Sequence, residues 1–172
     1  YEISECLVGS EMCIRDSGYT MPISEKDDMY LTKGKMLQDI TVALGGRVAE
    51  EEVFNDITTG ASQDIKQATG LAKSMVTKFG MSEAVGLVNY DNDSDEVFIG
   101  RDLAHTSRGY GESMATVIDS EVKRIIDECY SRARSIIKEH EDVLHACANL
   151  LLEKEKITRE EFEALFEKRE DV

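Results

Sequence analysis

Apolar residues recur every three or four positions along most of the chain, which is the spacing of amphipathic helices. Three such patterns predict a helix ending near Phe54, a helix ending at Gly80, and a long helix from Glu112 onward. Their apolar positions are, in chain order, Met36, Leu37, Ile40, Ala43, Leu44 and Val48; Ile65, Ala68, Ala72, Met75, Val76 and Phe79; and Ile118, Val122, Ile125, Ile126, Cys129, Ala133, Ile136 and Ile137.

Two shorter helices are predicted near the C-terminus, one over residues 143–152 and one that begins at a capping box formed by Thr158 and Glu161. Residues 85–90 and 97–99 are two short apolar runs joined by an acidic loop, which is typical of a small hairpin. The sequence therefore predicts a mainly α fold with one small β-hairpin. Residues 1–17 have neither helical nor strand periodicity and stay unassigned, with a non-native origin as one interpretation.

The net charge of the chain limits the classes of molecule that it is expected to bind. The 172 residues contain 35 Asp and Glu against 20 Lys and Arg, a net charge of −15, so we expect no nucleic-acid partner because phosphates would be repelled. No apolar run approaches the roughly 18 residues that a membrane span needs, and we expect these residues to be soluble.

Two metal-binding patterns fail on geometry. His140 and His145 are five residues apart, and five steps of an α-helix separate two side chains by about 140°, against about 40° for the four steps of HExxH. An acidic run that opens like an EF-hand loop has Glu96 where the turn needs glycine, so we expect no calcium site at Asp91, Asp93 and Asp95.

The four cysteines, Cys6, Cys13, Cys129 and Cys147, form no CxxC pair. Cys129 and Cys147 are interpreted as small core residues.

The segment 58–69 is more informative. Thr59 or Ser62 can cap the second helix, and Asp64 then falls in its first turn. One interpretation is an aspartate that complements the helix dipole. The other is a metal ligand presented from a helix start, which would need two further ligands that the chain does not clearly supply.

Five stretches of the chain carry a resemblance to a known family, and they are GYTMP at 18–22, LGGRVAEE at 44–51, TTGASQDIKQAT at 58–69, MVTKFGMS at 75–82 and FIGRD at 98–102. In this order they closely resemble the peptidase domain of the FtsH family. Members of this family are membrane-anchored, ATP-dependent zinc metalloproteases. The resemblance covers about residues 18–172.

This resemblance implies a zinc site in which two histidines of an HExxH helix and the aspartate of GAS-x-D bind the metal, with the HExxH glutamate as general base. The matching aspartate is Asp64, and Glu50 matches a glutamate that orients a histidine ligand. It also implies Zn²⁺ as cofactor, ATP and Mg²⁺ in a separate ATPase module, a homo- or hetero-hexamer of like subunits, and unfolded or membrane proteins as substrates. Membrane attachment would come from other segments, with this portion on the cytoplasmic side in bacteria.

The sequence departs from the family pattern at the catalytic motif, because HExxH is absent from it. The ATPase module and the membrane segments are absent from it as well. We expect a C-terminal fragment that has no catalytic residue of its own and is inert alone. Residues 18–110 would be the zinc-site part of the peptidase domain without its HExxH helix, and 111–172 its C-terminal helical part. The alternative is a non-catalytic helical oligomerisation module. Arg47, Arg101 and Asp102 are expected in ion pairs or subunit contacts, and His105 in a surface loop.

Overall fold

The computed structural model describes residues 30–91 and 110–167 of the chain. These residues form five α-helices and no strand, which confirms the mainly α prediction. In the part of the chain that the structure describes, no helix has the length and apolar character that a membrane crossing requires. The helices are α1 (Lys33–Phe54), α2 (Ser62–Thr77), α3 (Glu112–Glu139), α4 (Glu141–Lys154) and α5 (Arg159–Glu167).

The core lies where α1, α2 and α3 pack against one another. Several core residues have small side chains, among them Ala43, Ala72 and Cys129, and all three are buried. Val48, Ala133 and Ile137 form a second cluster between α1 and α3. The main cluster consists of Met36, Ile40, Ala43, Leu44, Ala68, Ala72, Met75, Val76, Val85, Ile118, Ile125 and Cys129.

The apolar stripe predicted on α2 is buried in its middle and exposed at both ends. Ala68, Ala72 and Met75 are almost fully buried, whereas Ile65 is 38% and Phe79 49% exposed. Ile65 lies in the first turn of α2, and Phe79 lies two residues after its last residue, Thr77. Periodicity therefore extends the stripe beyond the part that α1 and α3 cover.

The chain reverses direction after α2, at the glycine predicted to end this helix. Gly80 has φ +60, in the left-handed region that glycine adopts at little cost, and the Met81 N–H donates to the Met75 carbonyl at 2.9 Å. The chain then returns to the C-terminal end of α2, where the Tyr90 N–H donates to the Thr77 carbonyl at 2.8 Å.

The predicted hairpin has no strand in its first arm, residues 85–90. This arm is fixed differently, because Val85 is buried in the helical core and Tyr90 bonds to the end of α2 rather than to a second strand. Its other arm, residues 97–99, lies outside the described residues.

The two C-terminal helices follow α3 closely. His140 separates α3 from α4, and its ring lies edge-on to Phe166 of α5 with centroids 5.4 Å apart. The predicted capping box is confirmed: the Glu161 N–H donates to Thr158 Oγ1 at 3.4 Å, and the Thr158 N–H donates to Glu161 Oε2 at 3.0 Å.

A buried polar contact joins the turn after α2 to α3. Ser82 is 3% exposed, and its hydroxyl donates to Glu121 Oε2 at 2.6 Å while it accepts from the Val85 N–H at 3.4 Å. Arg124 donates to both oxygens of the same carboxylate. The hydrogen bonds from Arg124 and then Ser82 lower the pKa of Glu121, because they stabilise its charged form.

We predict that Ser82→Ala lowers the free energy of unfolding of the 172-residue chain by about 1–3 kcal/mol at neutral pH, since the Val85 N–H and the Glu121 carboxylate each lose a partner. The folded pKa of Glu121 lies below its unfolded value of about 4.5, so this carboxylate stabilises the fold above that pH and ceases to do so as the pH falls through the folded pKa.

Urea unfolding at pH 7 and at pH 3 measures both effects, with Ser120→Ala as the matched control because Ser120 is exposed on α3. The difference between Ser82→Ala and the wild type should narrow in acid. An equal difference at both pH values would contradict a role for the charged form of Glu121.

Candidate metal centre

A short loop, residues 55–61, connects α1 to α2 and sets where α2 begins. Asn55 caps the C-terminus of α1, has φ 50 and donates its N–H to the Glu51 carbonyl at 3.1 Å. The prediction that the side chain of Thr59 or Ser62 caps α2 is wrong, because Ala61 holds the N-cap position and no side chain caps the helix there. Thr59 contributes its backbone carbonyl instead, which accepts from the Ser62 N–H at 3.1 Å.

Asp64 lies in the first turn of α2, as predicted. Its Oδ1 atom is buried and has no hydrogen-bond partner among the described residues. Burial raises the pKa of this carboxyl group, since the charged form loses solvation. A buried carboxylate oxygen without a partner is costly, and a divalent cation is one group that would compensate it.

Glu50 lies near the end of α1 and binds the loop. The Thr58 hydroxyl donates to its Oε1 at 2.6 Å, and the Thr58 N–H approaches its Oε2 at 3.3 Å. Arg47, one turn earlier on α1, places Nη1 3.7 Å from Oε2. The hydrogen bond from the Thr58 hydroxyl is the main cause that lowers the pKa of Glu50, so this carboxylate is charged at neutral pH.

The two glutamates that follow Glu50 contact α3 instead of the loop. The Tyr130 hydroxyl donates to Glu51, and Glu52 pairs with Arg134 and with Lys138, the latter at 3.4 Å. Burial, and then the neighbouring Glu51, raise the pKa of Tyr130. Each glutamate of the run therefore has its own partner, and the run joins α1 both to the loop and to α3.

The predicted ion pair of Arg47 is present with Glu50, while its Nη1 has no hydrogen bond within the described ranges. Arg101, Asp102 and His105 lie outside the residues that the structure describes. The roles predicted for these three therefore stay predictions.

The two histidines at the start of α4 contact different groups. His145 Nε2 is 3.8 Å from Glu141 Oε1, and the His140 ring packs against Phe166. Asp91 pairs with Lys78 at 3.7 Å, and the remaining aspartates of the acidic run lie outside the described residues. Among residues 30–91 and 110–167 no three His, Cys, Asp or Glu side chains come together as a metal site.

The two described cysteines are free thiols that differ in burial. Cys129 is buried in the core as predicted, whereas Cys147 is half-buried. Burial raises the pKa of both thiols, so neither has the lowered pKa typical of a reactive cysteine.

The donor set fits zinc as one ligand of a larger site. A carboxylate oxygen is an accepted zinc ligand, and the unpartnered Oδ1 of Asp64 is available for one bond. A catalytic zinc takes three protein ligands, and the two histidines of an HExxH are absent from the 172 residues. Among the described residues, Asp64 is therefore one candidate ligand for such a centre.

Comparison with known sequences places this helical domain among peptidases. Residues 14–165 match the sequence model of Peptidase family M41, which covers most of the chain. The chain belongs to Peptidase family M41, and the resemblance found from the sequence motifs is confirmed.

The chain is 52% identical over 152 residues to the ATP-dependent zinc metalloprotease FtsH 1 of Thermoanaerobacter sp. (strain X514), covering 88% of this chain and 25% of that protein. It is 50% identical over 148 residues to the ATP-dependent zinc metalloprotease FtsH of Caldicellulosiruptor bescii, covering 86% and 24%. With the protein of the same name from Thermotoga maritima it shares 40% over 158 residues, covering 87% and 26%. The chain spans about a quarter of the length of these relatives.

We predict that Asp64→Asn leaves the stability of the 172-residue chain unchanged or raises it by up to about 1 kcal/mol at neutral pH. The substitution removes a desolvated charge that has no partner, as expected for a group retained for binding at a cost in stability.

The matched control is Glu112→Gln, which removes an exposed acid from the first turn of α3 and should cost about 0.3–1 kcal/mol through the helix dipole. Urea unfolding of the two variants and the wild type decides between the interpretations of Asp64. A loss of about 1 kcal/mol or more in Asp64→Asn would favour the purely dipole-complementing aspartate.

Proposed function

We propose that this chain is part of the peptidase domain of an ATP-dependent zinc metalloendopeptidase, in which Asp64 is the third protein ligand of the catalytic zinc. The buried, unpartnered Oδ1 of Asp64 at the start of α2 carries the proposal. Membership of Peptidase family M41 and the similarity to proteins named ATP-dependent zinc metalloproteases support it.

Each part of the chain has a defined contribution in this proposal. α1 and α3 form the frame on which α2 packs, and the first turn of α2 presents the carboxylate of Asp64. A zinc ion held by three protein ligands with a fourth position open supplies Lewis-acid activation of the peptide carbonyl and of water. Asp64 must be deprotonated to bind, and the positive end of the α2 dipole favours its charged form against the effect of burial.

Glu50 has a supporting role in the proposed centre. Glu50 matches a glutamate of the FtsH family, and the resemblance implies that it orients a histidine ligand. Its contacts with Thr58 and Arg47 favour the charged form of its carboxylate. A charged carboxylate fixes the tautomer and the ring orientation of a ligating histidine by accepting its second N–H.

The two histidine ligands and the general base are proposed to come from an HExxH outside these 172 residues. The chain alone then binds no catalytic zinc and hydrolyses no peptide. For the longer protein we propose an ATPase module that uses ATP and Mg²⁺, a hexamer of like subunits, membrane attachment outside this chain, and unfolded or membrane proteins as substrates. The family resemblance and the relatives' names support this description.

We predict that Asp64→Ala in the full-length protein lowers zinc affinity and proteolysis by more than about 100-fold, since a direct ligand should matter more than the outer partners whose loss costs 10–100-fold. ATP hydrolysis should be unchanged because the ATPase module is separate. Zinc content measured by atomic emission, together with casein degradation and phosphate release, checks this.

Asp127→Ala is the matched control, because Asp127 is an exposed aspartate on α3 that pairs with Lys123. It should retain zinc and proteolysis. Normal proteolysis in Asp64→Ala would reject Asp64 as a ligand.

A further inference from the structure

We propose that Thr58 is a positioning residue, which ties the loop of residues 55–61 to α1 through Glu50 and thereby fixes the point from which α2 presents Asp64. The inference rests on the proposed function in one respect, namely that Asp64 binds zinc. The arrangement of Glu50, Thr58 and Gly60 is the observation that carries it.

Three hydrogen bonds meet at the Thr58 side chain and backbone. The hydroxyl donates to Glu50 Oε1 at 2.6 Å and accepts from the Gly60 N–H at 3.1 Å. The Thr58 N–H lies 3.3 Å from Glu50 Oε2. One hydroxyl thus uses both its donor and an acceptor site, and it links the end of α1 to the backbone four residues before Asp64.

Gly60 shows how closely the loop approaches this pair. A Cβ atom at Gly60 would lie 3.2 Å from Thr58 Oγ1 and 3.6 Å from Glu50 Oε1. The Thr58 hydroxyl is held by two hydrogen bonds and cannot move away freely. A side chain at position 60 would therefore press on the Thr58 hydroxyl, so glycine is favoured where the backbone comes this close.

Apolar packing does not hold the part of the loop that contains Thr58. Residues 55–60 are all exposed, and burial begins only at Ala61, which is 5% exposed. Glu50, the partner of Thr58 on α1, is itself held in place. Arg47 lies 3.7 Å from it, and the neighbouring Glu51 and Glu52 pair with α3. A hydrogen bond to a charged carboxylate is stronger than one between neutral groups, so this contact is suited to hold an exposed loop.

The proposed chemistry requires this loop to hold Asp64 in a fixed position. A displacement of about 1 Å in a catalytic group can cost about 100-fold in rate. Glu50 can serve both Thr58 and a histidine, because a carboxylate has about four lone-pair sites. Thr58 then acts on zinc binding without contacting the metal.

The test compares Thr58→Val with Thr58→Ser and with Thr116→Val, a matched threonine exposed on α3. In the 172-residue chain, hydrogen exchange of the Gly60 amide should quicken in Thr58→Val and stay as in the wild type in the other two variants. In the full-length protein, Thr58→Val should weaken zinc affinity by about 10–100-fold, and Thr58→Ser should restore it because the hydroxyl is kept.

Asp64→Ala is measured beside these variants so that two failures can be separated. If Asp64→Ala loses zinc while Thr58→Val keeps wild-type affinity, the positioning role of Thr58 is overturned and the proposed function stands. If Thr58→Ser fails as Thr58→Val does, the hydroxyl is not the cause and the inference is likewise overturned. If Asp64→Ala keeps its zinc, the proposed function is rejected, and with it the positioning role of Thr58.

Discussion

The arrangement of this domain depends on α1, which packs against both α2 and α3. Its buried face, centred on Ile40 and Leu44, contributes about 1.5–3 kcal/mol for each large apolar side chain removed from water. This burial holds the three helices together but leaves residues 55–60 of the loop after α1 exposed to solvent. Polar contacts from the end of α1 hold these exposed loop residues in place.

Three consecutive glutamates make those polar contacts, each toward a different partner. Glu51 and Glu52 reach Tyr130 and Arg134 on α3, and Glu50 reaches Thr58 in the loop. Successive positions on a helix point about 100° apart, so a run of three can bind two neighbouring elements at once. The acidic run therefore connects the helical core to the segment that carries Asp64.

The sequence alone predicted the parts of the fold that local rules determine. Apolar periodicity and a capping box together located the five helices of residues 30–91 and 110–167, with Gly80 marking the turn after α2 and Thr158 with Glu161 the start of α5. The exposed Ile65 and Phe79 and the strand-free residues 85–90 were not predicted, because coverage by other helices decides them. The first-turn position of Asp64 followed from sequence, whereas its buried, unpartnered oxygen depends on tertiary packing. The partners of Glu51 and Glu52, about 80 residues away, carry no local signal.

The role of Asp64 is tested most directly by a crystal structure of the full-length protein with anomalous data collected at the zinc absorption edge. If Asp64 binds zinc, we expect an anomalous peak about 2.0–2.2 Å from one of its carboxylate oxygens, with two histidine nitrogens from outside these 172 residues as the other protein ligands and a fourth position open. A zinc ion whose protein ligands do not include Asp64 would refute this role.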